Sequence, residues 1–171
     1  MKKMPEESDS LLFVLSLEDD LKDAELLNEM LVNADYQVSM DIAKGEKEYV
    51  DFLKGRNYDI IFADNSVTSF DALTALKVAL SLKPEIPFIC VSGTIGEEKA
   101  VELLKQGASD YVIKDRLNRL AFTVKRALKE KEIQKASKQA ERALKNSEDK
   151  YSKAFQSSPY VITISRLEDG E

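Results

Sequence analysis

The sequence predicts an α/β protein, a doubly wound parallel sheet of five strands with helices on both faces and a C-terminal helical extension. Three observations carry that reading. Short, continuous apolar runs of the kind that fill strands buried on both faces recur along the first 120 residues. Stretches with apolar residues three and four apart, as on one face of a helix, separate those runs. Carboxylates, a hydroxyl and a lysine stand directly after the runs, where an open parallel sheet gathers its functional groups.

In chain order, Leu11-Leu12-Phe13-Val14-Leu15 leaves no room for a helix before the acidic Glu18-Asp19-Asp20 and reads as the first strand. Ala24, Leu27 and Leu31, with Leu26 and Met30, give the first helix. Tyr36, Val38 and Met40 alternate as the second strand, Gly45–Leu53 is a short helix, and Tyr58–Ala63 is the third strand. Ala72, Leu73, Leu76, Ala79 and Leu80 resume helical spacing. Pro84 and Pro87 bracket a turn before the strand Phe88–Ser92, and Gly96–Gln106 is a helix stopped by Gly107 in a C-cap position. Tyr111-Val112-Ile113 is the last strand, and Leu117–Leu128 the last helix of the block. Parallel strands need crossover helices, and right-handed crossovers cover both faces of the sheet.

Beyond Leu128, Ile133, Ala136, Ala140, Ala143, Ser147 and Ala154 form a weak heptad seam out of register with Leu120, Val124 and Ala127, which implies a stutter or a break between Leu128 and Ile133. A solvated connecting helix and a paired, coiled-coil-like helix both fit this stretch. Val161-Ile162-Thr163-Ile164 and Asp169-Gly170 then read as a strand and a hairpin turn, which is expected only if a further domain follows. The expected organisation is a tail over 1–9, a domain over 10–130, a helical linker over 131–150, and the start of another domain over 151–171.

The 171 residues include no histidine and one cysteine, Cys90. That excludes Ser-His-Asp and Cys-His nucleophiles, histidine metal sites, an internal disulfide and a phosphohistidine on this chain. Carboxylates, hydroxyls and lysine remain, a set suited to hard cations such as Mg²⁺ and to phosphoryl groups. Cys90, inside Pro87-Phe88-Ile89-Cys90-Val91, reads as a small buried apolar residue.

The net charge of −6 is unevenly distributed: Arg119–Lys153 carries 11 Lys+Arg against 5 Asp+Glu, or +6, and the remainder 14 against 26, or −12. The sign changes near residue 118, marking a boundary. The basic stretch interleaves its bases with acids and no winged or helix-turn-helix unit follows, so nucleic-acid binding is not expected. Attraction to the acidic remainder, including that of a second subunit, is the simpler reading. No apolar run is long enough to cross a bilayer and the start is not an apolar signal segment, so no membrane association and a cytoplasmic location are expected.

After the strands stand Glu18, Asp19 and Asp20; Asp64; Ser92, Gly93 and Thr94; and Lys114. Individually each has a plain role: Asp20 and Asp64 as helix caps, Ser92-Gly93-Thr94 as a turn, Lys114 as a surface charge. Together they suggest a divalent cation held by oxygen ligands, because clustered carboxylates repel unless a cation joins them. A carboxylate there can attack a phosphoryl donor while the metal, Lys114, Ser92 and backbone N–H groups offset the transferred charge.

This pattern resembles the receiver domains of two-component response regulators over about Leu11–Leu128. The matching motifs are Leu15-Ser16-Leu17-Glu18-Asp19-Asp20, Tyr58-Asp59-Ile60-Ile61-Phe62-Ala63-Asp64, Val91-Ser92-Gly93 and Gly107-Ala108-Ser109-Asp110-Tyr111-Val112-Ile113-Lys114. The resemblance implies a flavodoxin-like fold with strand order 2-1-3-4-5 and Asp64 as the phosphoacceptor. It implies Mg²⁺ bound by Glu18, Asp19, Asp64 and the backbone carbonyl of Ser66, with Ser92, Gly93, Lys114 and Tyr111 binding phosphate and relaying the switch. The implied donor is a histidine kinase or phosphotransfer protein. Such a chain is a phosphorylatable signalling switch and not a turnover enzyme.

Thr68, Ala72 and Asp115 depart from the family pattern, the last two where Gly and Pro are usual. They keep open a degenerate receiver that acts as an unphosphorylated interaction or dimerisation module. A flavin or nucleotide binder on the same fold is disfavoured, since no Gly-rich phosphate loop follows the first strand. Lys114-Asp115 is expected to be a trans peptide. Ser66 and Thr94 are neither carboxylate nor amide, so slow loss of phosphate is expected. Ser147 to Ile162, including Tyr151, Phe155 and Ser158-Pro159, resembles the linker and first strand of a PAS sensor domain, which implies a PAS or other output in the same parent chain. A homodimer through the C-terminal helix is a further expected partner.

Overall fold

The computed structural model describes residues 11–65, 70–93 and 97–156. They form β1 (Leu11–Leu17), α1 (Leu21–Val32), β2 (Gln37–Ala43), α2 (Glu46–Gly55), β3 (Ile60–Ala63), α3 (Ala72–Leu82), β4 (Phe88–Ser92), α4 (Glu97–Lys105), β5 (Asp110–Ile113), a 3-10 helix (Lys114–Arg119) and α5 (Leu120–Gln156). The chain divides into two compact units between Glu132 and Ile133.

In the first unit the five strands make one sheet in the order β2-β1-β3-β4-β5, parallel throughout. Burial explains the sequence patterns. β3 and β4 are buried at every position, hence their unbroken apolar runs, whereas edge strand β2 is half-buried and alternates. Successive β1 residues face opposite sides. Leu15 and Leu17 join Tyr49, Leu53, Ala75 and Leu76 under α2 and α3; Leu12 and Val14 join Leu27, Leu31, Leu120 and Val124 under α1 and α5. On the first side the Tyr49 hydroxyl donates to the carbonyl of Ala75 at 3.2 Å, so its polar tip is satisfied within the core.

Local signals set the element ends. Asp20 is the N-cap of α1, its carboxylate accepting from the N–H of Lys22, and Asp71 caps α3 by accepting from Thr74. Gly107 follows α4 with φ +109°, a conformation that a side chain rarely adopts. Its N–H donates to the carbonyl of Leu104. Among the described residues no peptide bond is cis, so Lys114-Asp115 is trans.

Register aligns the carboxyl ends of the central strands: Leu17 lies beside Ala43 and Ala63, Ala63 beside Cys90, and Ser92 beside Ile113. The N–H of Glu18 donates to the carbonyl of Ala43 and that of Asp64 to the carbonyl of Leu17, both at 2.9 Å. Residues 18 and 64 are thereby fixed by backbone bonds to adjacent strands.

The structure moves the start of the last helix and decides between the stutter and the break that the sequence left open. The block's last helix does not begin at Leu117: residues 114–119 form a 3-10 helix with a kink at Arg116, and the α-helix starts at Leu120. The helix then runs unbroken through Leu128–Ile133 and past residue 150 to Gln156. Leu120, Val124 and Ala127 are buried whereas Ile133 is exposed, so the shift of register is a change of helix face.

In the second unit the described residues are the helix from 133 to 156, exposed at every position from 133 to 153. The PAS-like stretch beyond residue 156 lies outside the described residues. Among the described residues no helix is long and apolar enough to cross a membrane.

Candidate functional site

Lys114 is the centre of the site. It directly follows β5, and its ammonium donates to Asp64 Oδ2 at 2.8 Å, to Glu18 Oε2 at 2.9 Å and to Asp23 Oδ2 at 2.5 Å. Glu18 and Asp64 are almost fully buried at the ends of β1 and β3, while the Asp23 side chain is 37% exposed in the first turn of α1. A second oxygen of Glu18, Oε1, accepts from the N–H of Asp20 at 3.1 Å. Glu18 is thus held from two directions.

The electrostatics follow from burial. Loss of water pushes the Glu18 carboxyl above its ordinary range; bonds from Lys114 and the Asp20 N–H oppose this, and the neighbouring Asp64 charge adds to it. For Lys114 burial pulls downward, but hydrogen bonds to Asp23, Asp64 and Glu18 outweigh it and raise the ammonium. Lys114 therefore stays charged. With the three carboxylates ionised, the group carries a net charge of −2.

Glu18, Asp23 and Asp64 each place a carboxylate oxygen within 4.8 Å of the others. Oxygen-only donors, net charge −2 and close convergence fit a hard divalent cation. Of the residues named from sequence, the structure brings Glu18, Asp64 and Lys114 together. Asp19 is exposed and is not among the converging carboxylates; Asp23 is. Ser92, 3% exposed, ends β4, and Gly93 is half-buried after it. Tyr111 lies on β5 with its side chain 37% exposed, on the opposite face from buried Val112. Ser66, Thr68 and Thr94 lie outside the described residues.

The sequence reading passed over Asp23 because it looked only at residues directly following strands. A usable signal was present. Asp20 caps α1, and Asp23, three residues later on the same side, immediately precedes Ala24, the first buried residue of that helix. Cys90 has no part in the chemistry: burial, reinforced by the Asp64 charge, pushes its thiol up to about 12.

Comparison with known proteins agrees with this geometry. The family model described as "Response regulator receiver domain" matches residues 14–125. The chain belongs to the response regulator receiver domain family. It is 29% identical over 116 residues to the transcriptional regulatory protein ZraR of Escherichia coli O157:H7, covering 67% of this chain and 26% of that protein. It is 34% identical over 114 residues to protein-glutamate methylesterase/protein-glutamine glutaminase 1 of Methanosarcina mazei, covering 65% and 31%. The chain thus spans about a quarter to a third of the length of these relatives. Among solved structures, the receiver domain of a Francisella response regulator superposes with a TM-score of 0.60 at 26% identity, covering 70% of this chain and 98% of that one.

Receiver domains are signalling switches of two-component systems; they bind Mg²⁺ through acidic residues and work with histidine kinases and output domains. The flavodoxin-like strand order expected from the sequence is the one observed.

Proposed function

We propose that this chain accepts a phosphoryl group on Asp64 from the phosphohistidine of a histidine kinase or phosphotransfer protein, with Mg²⁺, and passes the change to an output in the same parent chain. The observation that supports this reading most directly is Asp64 itself, buried at the end of β3 with one carboxylate oxygen 2.8 Å from the Lys114 ammonium. An Asp64 oxygen forms the new bond to phosphorus as the phosphorus–nitrogen bond of the donor breaks. The carboxylates of Glu18, Asp19 and Asp64 with the backbone carbonyl of Ser66 would hold Mg²⁺, which would offset the phosphoryl charge.

Lys114 is already at the acceptor and can pair with a phosphoryl oxygen as Asp64 gives up its own charge. Ser92 and the N–H groups around Gly93, beyond β4, supply further hydrogen bonds. A dianionic group beside Ser92 draws its hydroxyl inward, and Tyr111 on the neighbouring strand follows. The helices after β5 carry the signal toward a PAS-type output, in the cytoplasm.

Intact mass after incubation with acetyl phosphate tests the reading, with wild type and Asp64→Asn compared with and without Mg²⁺. A single Mg²⁺-dependent phosphoryl adduct, absent from the variant, is expected. No adduct together with no Mg²⁺ binding would overturn it in favour of an unphosphorylated interaction module.

A further inference from the structure

We propose that the helix of the second unit pairs with the same helix of a second copy of this chain, parallel and in register, through an apolar stripe that repeats every eleven residues. The large apolar side chains there are Ile133, Leu144, Tyr151 and Phe155, exposed by 59%, 62%, 68% and 72%. Ile133, Leu144 and Phe155 are successive multiples of eleven apart, and so are Ala140 and Tyr151. Eleven residues make three turns, so each position returns to the same side of a straight helix within about 20°. The four large residues thus share one face over about 33 Å. The heptad seam predicted from sequence includes Ile133 but misses Leu144, Tyr151 and Phe155, because it follows small residues instead of the large ones.

Charge is excluded from this face in a specific way. Lys135, Lys138, Arg142, Lys145, Lys150 and Lys153 all fall on the far side of the helix, outside the stripe. One edge of the stripe carries Glu141 and Glu148; the other carries Ala136, Ala143 and Ser147. In a parallel pair the acidic edge of one helix meets the small-residue edge of the other, with no like charges opposed. In an antiparallel pair the two acidic edges would meet, bringing Glu141 of one helix near Glu148 of the other.

The edge charges therefore select a second copy in parallel sense. That copy carries apolar side chains at the same period over the whole length, and Ala136, Ala140 and Ser147 let two helix backbones approach between the large residues. A solvated helix of this length gains little stability alone, and pairing buries the face that it leaves in water.

The test is sedimentation equilibrium of the full 171-residue chain at about 50 μM, with oxidative cross-linking of variants. The expected mass is twice the 19.3 kDa of one chain. Ile133→Glu with Leu144→Glu should halve it while leaving the thermal unfolding of the receiver unit unchanged, whereas Lys135→Gln with Arg142→Gln on the far side should keep the double mass. Ile133→Cys should cross-link to its own copy, Cys90 being buried and inert. Asp64→Asn should also keep the double mass, which separates pairing from phosphoryl chemistry. A wild-type mass of one chain, a dimer that survives the two glutamates, or cross-linking only between Ile133→Cys and Phe155→Cys chains would overturn the proposal.

Discussion

Replacing Lys114 by methionine keeps the length of the side chain and removes the ammonium that touches all three carboxylates. Its partners differ in burial: the side chains of Glu18 and Asp64 are 2% and 3% exposed, that of Asp23 is 37% exposed. The contact with Asp23 is close to a surface ion pair, worth at most about 1 kcal/mol. The other two carboxylates are buried and lose the ammonium that each touches, and removing one partner of a buried ion pair costs about 3–5 kcal/mol. For a domain of this size that lowers Tm by roughly 10–20 °C at pH 7 in EDTA, measurable by circular dichroism. Two conditions should recover part of the loss. Mg²⁺ at a hundredfold excess over its Kd contributes about 2.7 kcal/mol. Acid also helps, because the folded-state pKa of Glu18 is raised above 4.5 and rises further without Lys114. Between 4.5 and that raised value the folded state binds more protons than the unfolded one, so stability grows as pH falls through this window and is lost as pH rises. A loss under about 1 kcal/mol in EDTA at pH 7, or one that neither Mg²⁺ nor pH 5 reduces, would refute the assignment of Lys114 as the counter-charge.

Gly107→Ala should cost about 1–3 kcal/mol in urea denaturation, because φ +109° is strained for any side chain and the added carbon would lie 3.3 Å from Leu80 Cδ1; an unchanged midpoint would contradict this. Native Cys90 should resist thiol reagents and react only on unfolding, since it is fully buried with its thiol raised to about 12; labelling of the folded chain at neutral pH would count against the assigned burial. Once phosphorylated, the chain should keep its phosphate for minutes or longer by intact mass, as Ser66 and Thr94 lack the carboxylate or amide that orients an attacking water; a half-life of seconds would contradict that expectation.

The parallel topology made most of the site readable in advance. Buried strands in a doubly wound sheet are nearly continuous apolar runs, so their ends can be counted off in the sequence. The polar residues after them, Glu18, Asp64, Ser92 and Lys114, stand at the same edge as a matter of geometry. Asp23 escaped this logic because it reaches the site from a helix, where position depends on the angle at which α1 leaves Asp20. Asp19, next to Glu18 in the acidic loop, is exposed, and neither composition nor spacing states how consecutive residues there are turned. The face change along α5 was visible only as a broken register. It became interpretable once burial distinguished Leu120 and Val124, packed on the sheet, from Ile133 and Leu144 in solvent.

The contacts of Lys114 join residues that are 50, 91 and 96 positions away in the chain. No local segment can assemble them, and each contact must first overcome the entropy of closing a long loop. Folding of this sheet therefore depends on non-local pairings, which form slowly compared with helices. The cluster of carboxylates around Lys114 comes into being only when β1, β3 and β5 are all in place. A partly folded chain holds its acidic groups apart, and the proposed acceptor site does not yet exist. The proposed acceptance of a phosphoryl group is thereby tied to completion of the fold.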